Sequence, residues 1–239
     1  MNIYQRSDNF IKANWSFNRL IVGICVLLVY IIIYHVSIIP FLKNGDPKFY
    51  TLFVNWSLSF LWMASFPLLC LNRDNLLKIK VQISQIVKEG IIAVGIVIVA
   101  IIIGGIVNAL VYSLLQEPAA VRNPWSGFGN SPASSSLMLL LFMMIILAPI
   151  AEEIFFRGFI YNALRQRLNI YTCIILQAII FATFHYKNPY DDIYSLISIF
   201  IVGIILVLAY EWRKSIVSPI LVHSFYTLFG VSLQRALGI

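Results

Sequence analysis

The chain has 239 residues, of which 60% are hydrophobic and only 11% are charged. A soluble domain carries about a quarter charged residues, so this composition excludes a soluble globular protein. The formal net charge of +7 could indicate a nucleic-acid partner. Membrane proteins, however, concentrate Lys and Arg in their cytoplasmic loops, and we therefore predict no nucleic-acid binding.

The apolar residues fall into blocks, several of which are long enough to cross a bilayer as a helix of about 20 residues. Backbone groups inside lipid must bond within their own segment, so helices are the expected elements. We predict an all-α, polytopic membrane helix bundle of about seven transmembrane helices. The predicted spans are 20–39, 49–71, 91–115, 137–165, 170–187, 193–210 and 215–234.

A polar stretch divides the predicted bundle into two parts. Residues 116–136 are rich in Pro, Ser, Gly and Asn, a composition typical of a loop. We predict an N-terminal three-helix membrane region at 1–133 and a four-helix core at 134–239. A turn-forming cluster at 188–192 joins the fifth and sixth spans as a tight helical hairpin.

The loops predict the orientation of the chain. A cytoplasmic N-terminus places most basic loop residues inside, among them Arg165, Arg167, Arg213 and Lys214. The short loops and the many Ile, Asn and Lys residues favour a bacterial source. We therefore expect an integral protein of the bacterial plasma membrane with its N-terminus in the cytoplasm.

Two adjacent glutamates lie inside the fourth predicted span, where each ionisable residue costs roughly 2.5–3.5 kcal/mol and is a functional candidate. Glu153 and Arg157 are four residues apart, so they share a helix face and are predicted to pair. Glu152 points about 100° away from Glu153 and can act as a base toward water. The structural alternative is that both acids neutralise Arg157 and Arg165.

Two of the three histidines occur in the predicted core. Phe181 and His185 are four residues apart in the fifth span, and His223 and Thr227 are four apart in the seventh. Each pair can therefore face one cavity. Taken alone, His185 is better explained as an interfacial residue, and His223 is equally well explained by a helix-packing hydrogen bond. His35 lies near the outer end of the first span and is predicted to be interfacial.

The motifs E-E-x-x-x-R, F-x-x-x-H and H-x-x-x-polar, each on its own membrane segment, together resemble the CAAX protease and bacteriocin-processing family, also called CPBP or Abi. The resemblance covers about residues 137–234. It implies an intramembrane endopeptidase built on the four C-terminal helices. The substrates it implies are peptides such as bacteriocins, pheromones or prenylated tails.

The same resemblance implies a role for each motif residue. The family often has Asn where this chain has Thr227, whose hydroxyl can still donate one hydrogen bond to an oxyanion. The remaining implied roles are Glu152 as catalytic base, His185 as its partner in activating water, Glu153 and Arg157 as a supporting pair, and His223 as an oxyanion donor.

Two alternatives stay open at this point. This mechanism needs no cofactor, yet Glu152, His185 and His223 would also suit zinc chemically, although the usual H-E-x-x-H motif is absent. A non-catalytic bacteriocin self-immunity or membrane scaffold protein would carry the same residues as inherited structure. The expected partners are the lipid bilayer and a peptide or membrane-protein substrate, and the oligomeric state stays open.

The depths of these residues present a difficulty for straight helices. At about 1.5 Å per residue, counting from Leu137 places Glu152 in the inner half of the bilayer. Counting from Ile170 places His185 nearer the outside. The side chains meet if the fifth helix starts well below the bilayer or if the fourth begins above it, and the sequence does not choose between the two.

Overall fold

The structure is a computed structural model that describes residues 21, 25, 63, 83–115, 138, 139, 141–185 and 193–237. Among these residues it contains helices joined by turns and no strand, which agrees with the predicted all-α class. Most of the first two predicted spans, the loop at 116–136 and the turn at 188–192 lie outside the described residues. The seven-helix count, the division into two regions and the orientation therefore stay predictions.

The described helices follow the predicted spans closely, with one longer start. The third predicted span begins at Ile83 instead of residue 91. The helices are α1 (Ile83–Leu115), α2 (141–165), α3 (Ile170–His185), α4 (Ile193–Arg213) and α5 (Val217–Leu237).

Helix α1 starts earlier than predicted because Glu89, which follows Lys88, forms an ion pair with a residue of a distant helix. Arg213 Nε donates to both carboxylate oxygens of Glu89 at 3.0 Å, and its Nη2 donates to Oε1 at 2.6 Å. Farther along α1, Asn108 Nδ2 donates to Ser198 Oγ at 3.1 Å. Since Ser198 precedes Arg213 in α4, the two helices run antiparallel and are tied by polar contacts at both ends.

Several described helices are apolar on the outside as well as in the core. Ile86–Leu115 and Ile193–Arg213 are long and apolar enough to cross a membrane, while Ile170–His185 and Val217–Leu233 are shorter. In α1, large apolar side chains such as Ile91, which is 71% exposed, point away from the bundle. A continuous apolar surface of this kind is unfavourable in water and matches a helix that faces lipid.

The helix that carries the two glutamates contains two π-helical segments. They are Met143–Leu147 and Ile154–Tyr161, and the backbone is α-helical at Ala148–Glu153 between them. Pro149 lacks an N–H and lies where the first π-helical segment ends and the backbone hydrogen-bond pattern shifts. Wide turns of this kind often accompany functional sites. Here they flank the segment that contains both carboxylates.

The end of the second wide turn is held by Asn162. Its Nδ2 donates to the carbonyl oxygens of Arg157 at 2.9 Å and Gly158 at 3.0 Å, and to the Tyr210 hydroxyl at 2.9 Å. The amide therefore donates both to backbone carbonyls of α2 and to a side chain of α4. This contact fixes α2 against α4 about two and a half turns beyond the glutamates.

Helix α2 lies at the centre of the described bundle. Its aromatic residues Phe155, Phe156 and Phe159 are buried and pack against residues from the other described helices. Because Glu152, Glu153 and Arg157 share this helix, they are buried with it. The residues of the other helices in this core are Met63, Ala93, Val97, Phe181, Val202, Leu206, Ala209 and Val222.

Candidate active site

Three helices bring one carboxylate and two imidazoles together. His185 ends α3, and its Nε2 lies 3.4 Å from Glu152 Oε2. His223 lies in α5, and its Nε2 is 3.9 Å from the same oxygen. All three side chains are largely buried, with His185 the most exposed at 25%. The structure thus joins three residues selected from the sequence, whose catalytic roles stay predictions.

The depth difficulty disappears when heights are counted from the turn at 166–169. Glu152 lies about 20 Å above that turn along α2, and His185 lies about 22 Å above it along α3, at 1.5 Å per residue. The depth of Glu152 estimated from Leu137 differs, because that estimate places the start of the fourth span at the membrane surface. The two side chains are therefore level within the α2–α3 hairpin.

His223 reaches the same level along a shorter path. Tyr161 donates to Glu211 Oε1 at 2.6 Å, so the end of α4 is level with the lower part of α2. The turn after α4 consequently lies higher than the turn at 166–169. From the start of α5 at Val217, about 9 Å of helix brings His223 to Glu152.

Beside Glu152 lies the ion pair that the i, i+4 spacing predicted. Arg157 Nη1 donates to Glu153 Oε1 at 2.8 Å, and both side chains are completely buried. Arg157 Nη2 donates to the Gly203 carbonyl at 3.2 Å, and its guanidinium lies 4.6 Å from the centre of the Phe181 ring. The positive charge is thus balanced by Glu153, by a carbonyl dipole and by an aromatic face.

The same carboxylate orients His223. His223 Nδ1 lies 2.9 Å from Glu153 Oε1, which also accepts from Arg157. An oxygen that is paired with a guanidinium is an acceptor, so we assign the hydrogen to His223 Nδ1. The neutral ring therefore presents the lone pair of Nε2 to Glu152, whereas the imidazolium presents an N–H there.

His185 is oriented in an equivalent way by the backbone of its own helix. Its Nδ1 lies 2.8 Å from the Phe181 carbonyl oxygen, which can only accept, so Nδ1 carries the hydrogen. Its Nε2 is then directed at Glu152. Two rings fixed at Nδ1 therefore direct Nε2 at one carboxylate oxygen, an arrangement that can hold a proton or position a water molecule beside the three atoms.

Comparison with known proteins adds independent support for the motif assignment. Residues 134–229 match the family described as type II CAAX prenyl endopeptidase Rce1-like. This region is therefore similar to the CAAX prenyl endopeptidases. The match contains all six residues selected from the sequence, and at family level it indicates a peptidase. Together with the apolar helices, it indicates an integral membrane protein.

One curated relative extends the comparison to another organism. An Escherichia coli protein named as an uncharacterized 24.3 kDa protein is 29% identical over 97 residues. The aligned part is 40% of this chain and 44% of that protein, so the chain matches less than half the length of this relative. No solved structure is significantly similar to the chain.

Phe181 contacts both histidines and the arginine of the candidate site. Its ring centre lies 4.4 Å from that of His185 and 5.9 Å from that of His223, while its face holds the Arg157 guanidinium. Its carbonyl fixes His185. The F-x-x-x-H spacing predicted a shared helix face for Phe181 and His185. It contained no information about the contacts with Arg157 and His223.

Gly203 is a site residue that the sequence analysis missed. Its carbonyl accepts from Arg157, and a Cβ at this position would lie 3.2 Å from Ala178 Cα and 3.4 Å from Phe181 Cδ1. Only the absence of a side chain lets α3 and α4 approach this closely. A single glycine in an apolar span is common, so the sequence offered no reason to select it.

We expect Gly203→Val to lower the unfolding midpoint of the protein and its activity together, because the added methyl groups must displace the α3 backbone. Gly104→Val is the matched control, since a Cβ at Gly104 meets nothing within 4 Å among the described residues. Thermal unfolding of the two purified variants in detergent checks this prediction. Equal midpoints for both variants would contradict the close-approach explanation.

Thr227 is the motif residue that the structure does not connect to the others. It lies one turn after His223 in α5 and is half-buried. Within the described part of the chain it makes no hydrogen bond to the glutamates or to either histidine. Its proposed contribution to an oxyanion site therefore stays a prediction.

The donor types around Glu152 include those of known catalytic zinc sites, which combine two histidines with one glutamate. Across the described ranges, however, no group of three His, Cys, Asp or Glu side chains has the spacing of a metal site. The chemistry of the set fits zinc and its present spacing does not. Zinc therefore remains an alternative to be tested by chelation.

Proposed function

We propose that this protein is an intramembrane endopeptidase in which Glu152 activates water to hydrolyse a peptide bond near the membrane. The observation that carries the proposal is the convergence of His185 Nε2 and His223 Nε2 on Glu152 Oε2, at 3.4 and 3.9 Å. The CAAX protease match over the same residues supports it.

The first chemical step is proton transfer from water to Glu152. A water molecule bound beside Glu152 Oε2 and His185 Nε2 can donate a hydrogen to the carboxylate, which leaves an oxygen lone pair for attack on the peptide carbonyl. The proton taken by Glu152 then passes to the leaving amine. His185 stays oriented throughout, because the Phe181 carbonyl holds its Nδ1–H.

His223 is placed to stabilise the oxyanion that this attack creates. Its Nε2 can donate to an oxyanion only when the ring is an imidazolium. Glu153 Oε1 lies 2.9 Å from Nδ1 and also accepts from Arg157, so it holds the ring in the orientation that this role requires. One such donor lowers the barrier by about 2.7–4 kcal/mol in well-studied proteases. Thr227 would add a second donor.

The surroundings of the site favour a substrate that is itself in the membrane. The site lies among apolar helices and about 20 Å from the turn at 166–169. Charged side chains collect around that end of the bundle, where Glu211 contacts Tyr161, Arg165 and Lys214. We propose that this end is cytoplasmic and that the substrate is a membrane-associated peptide such as a bacteriocin, pheromone or prenylated tail.

Cleavage by the purified full-length protein tests the function and its alternatives together. The protein in liposomes is mixed with membrane-inserted peptides, and new termini are identified by mass spectrometry before and after exhaustive chelation. We expect cleavage at an unchanged rate after chelation. Activity that chelation removes and zinc restores would establish the metal version. No cleavage of any peptide would favour a self-immunity or scaffold protein.

A further inference from the structure

Two large aromatic side chains face outward at the end of the bundle that carries the turns. Tyr171, the second residue of α3, is 79% exposed, and Trp212, the last residue but one of α4, is 65% exposed. Trp and Tyr are enriched where a bilayer meets water, because their rings are apolar and carry one polar group. The two rings therefore indicate the level of the bilayer surface on α3 and α4.

The residues on either side of these two rings agree with that level. On the same helix faces, one turn farther from the turns, the exposed side chains are aliphatic. Ile175 follows Tyr171 by four residues, and Leu208 precedes Trp212 by four. Exposed or half-buried basic residues lie on the other side, namely Arg165, Arg167 and Lys214. A change from charged to aliphatic surface across a belt of aromatic rings is typical of a membrane boundary.

The height of the candidate site above this boundary can be counted along two helices. Tyr161 donates to the carboxylate that precedes Trp212 in the chain, so these two residues are level. Glu152 lies nine residues farther along α2, which is about 13 Å, and His185 lies fourteen residues beyond Tyr171, about 21 Å. The midplane of a bilayer lies about 15–22 Å from its surface, without or with the headgroups. The site is therefore near the midplane.

We propose that the substrate is an apolar segment that spans the membrane, and that the protein cleaves it near the bilayer midplane. This inference rests on the proposed function and narrows its substrate class. An amphipathic peptide on the surface is buried only about 5–10 Å into the boundary between headgroups and acyl chains, so its backbone does not reach Glu152. A spanning helix of about 20 apolar residues brings its central peptide bonds to the depth of the site.

A spanning segment reaches the site as a helix, because an extended backbone in lipid leaves its N–H and C=O groups without partners. Only the turn that contains the scissile bond then has to open at the site. His185 ends α3 and is the most exposed of the three converging side chains, so the segment can approach from this end of α3. The depth of the site fixes the cut at about 9–14 helical residues from the substrate's own boundary residues.

The depth of the site can be measured in inactive protein, which separates this inference from the proposed function. A nitroxide is attached at Thr183→Cys in full-length Glu152→Gln protein whose native cysteines are replaced by alanine. Thr183 is exposed on α3 and lies two residues before His185. Paramagnetic resonance with oxygen and a nickel chelate as relaxants gives the depth of the label in liposomes. We expect it near the midplane, and a matched label at Tyr171→Cys among the headgroups. Equal depths of the two labels would overturn the proposal.

Cleavage by the active full-length protein in liposomes tests the substrate class. One peptide has about 20 Leu and Ala residues between two pairs of lysines and spans the bilayer. An amphipathic Leu–Lys peptide and a farnesylated peptide, both at the surface, are the matched probes. We expect the spanning peptide to be cut about 9–14 residues from a lysine pair and the surface peptides to release no product. Glu152→Gln protein controls for contaminating proteases. Faster cleavage of either surface peptide, or a cut within one turn of the lysines, would overturn the proposal.

Discussion

Replacing Glu152 by Gln should decrease the rate of peptide hydrolysis by about 10²–10⁴-fold, the range that general-base catalysis usually contributes. The amide has nearly the shape of the carboxylate but cannot accept a proton from water. Because Glu152 makes no part of the Glu153–Arg157 pair, the fold should persist. Product formation by purified protein in liposomes, with the unfolding midpoint as a check on folding, measures this effect.

Glu211→Gln is the matched control for this substitution. It is the same chemical change in the same bundle, but Glu211 lies beside Tyr161, Arg165 and Lys214 and away from the histidines. An amide oxygen can still accept from the Tyr161 hydroxyl. We expect the control to retain activity. Equal losses in Glu211→Gln and Glu152→Gln protein would show that any lost carboxylate disables the bundle and would remove the case for Glu152.

Arg157→Met should produce the largest loss of stability, about 3–5 kcal/mol in the free energy of unfolding. The substitution leaves Glu153 as a buried charge without its guanidinium, and it removes the contacts with the Gly203 carbonyl and the Phe181 ring. Reversible unfolding in mixed detergent micelles measures the change. Activity should fall in parallel, since the Glu153 oxygen that orients His223 loses the guanidinium that holds it in place.

Two further variants distinguish the stability lost with the buried ion pair from the stability lost when any charged residue is removed. Arg165→Met is the control, because Arg165 is 34% exposed and 3.5 Å from Glu211, and such pairs are worth only about 0–1 kcal/mol. The double variant Arg157→Met with Glu153→Gln should lose less than the sum of its single changes. Additive losses would mean that the two side chains do not stabilise each other.

Local spacing made part of the site predictable. Residues four apart on a helix share a face regardless of the rest of the fold, so the Glu153–Arg157 pair followed from the sequence and is present at 2.8 Å. The bounds of α3 and α4 also followed, because apolar blocks between polar turns limit a membrane helix. The start of α1 did not, since its Glu89 is neutralised by Arg213 from a distant helix.

What depends on contacts between helices could not be obtained in this way. The relative depth of Glu152, His185 and His223 depends on the heights of the turn at 166–169 and of the turn after α4. The difference in height between these turns follows from the contact between Tyr161 and Glu211, which the sequence does not reveal. Gly203 was missed because its importance comes from the position of Ala178 on another helix.

Hydrolysis in water enriched in oxygen-18 tests the central claim most directly, namely that Glu152 activates the attacking water. The chelated full-length protein should release a peptide whose new carboxyl terminus carries one solvent oxygen, and Glu152→Gln protein should release almost none. The same labelled product at the same rate from both proteins would contradict the account.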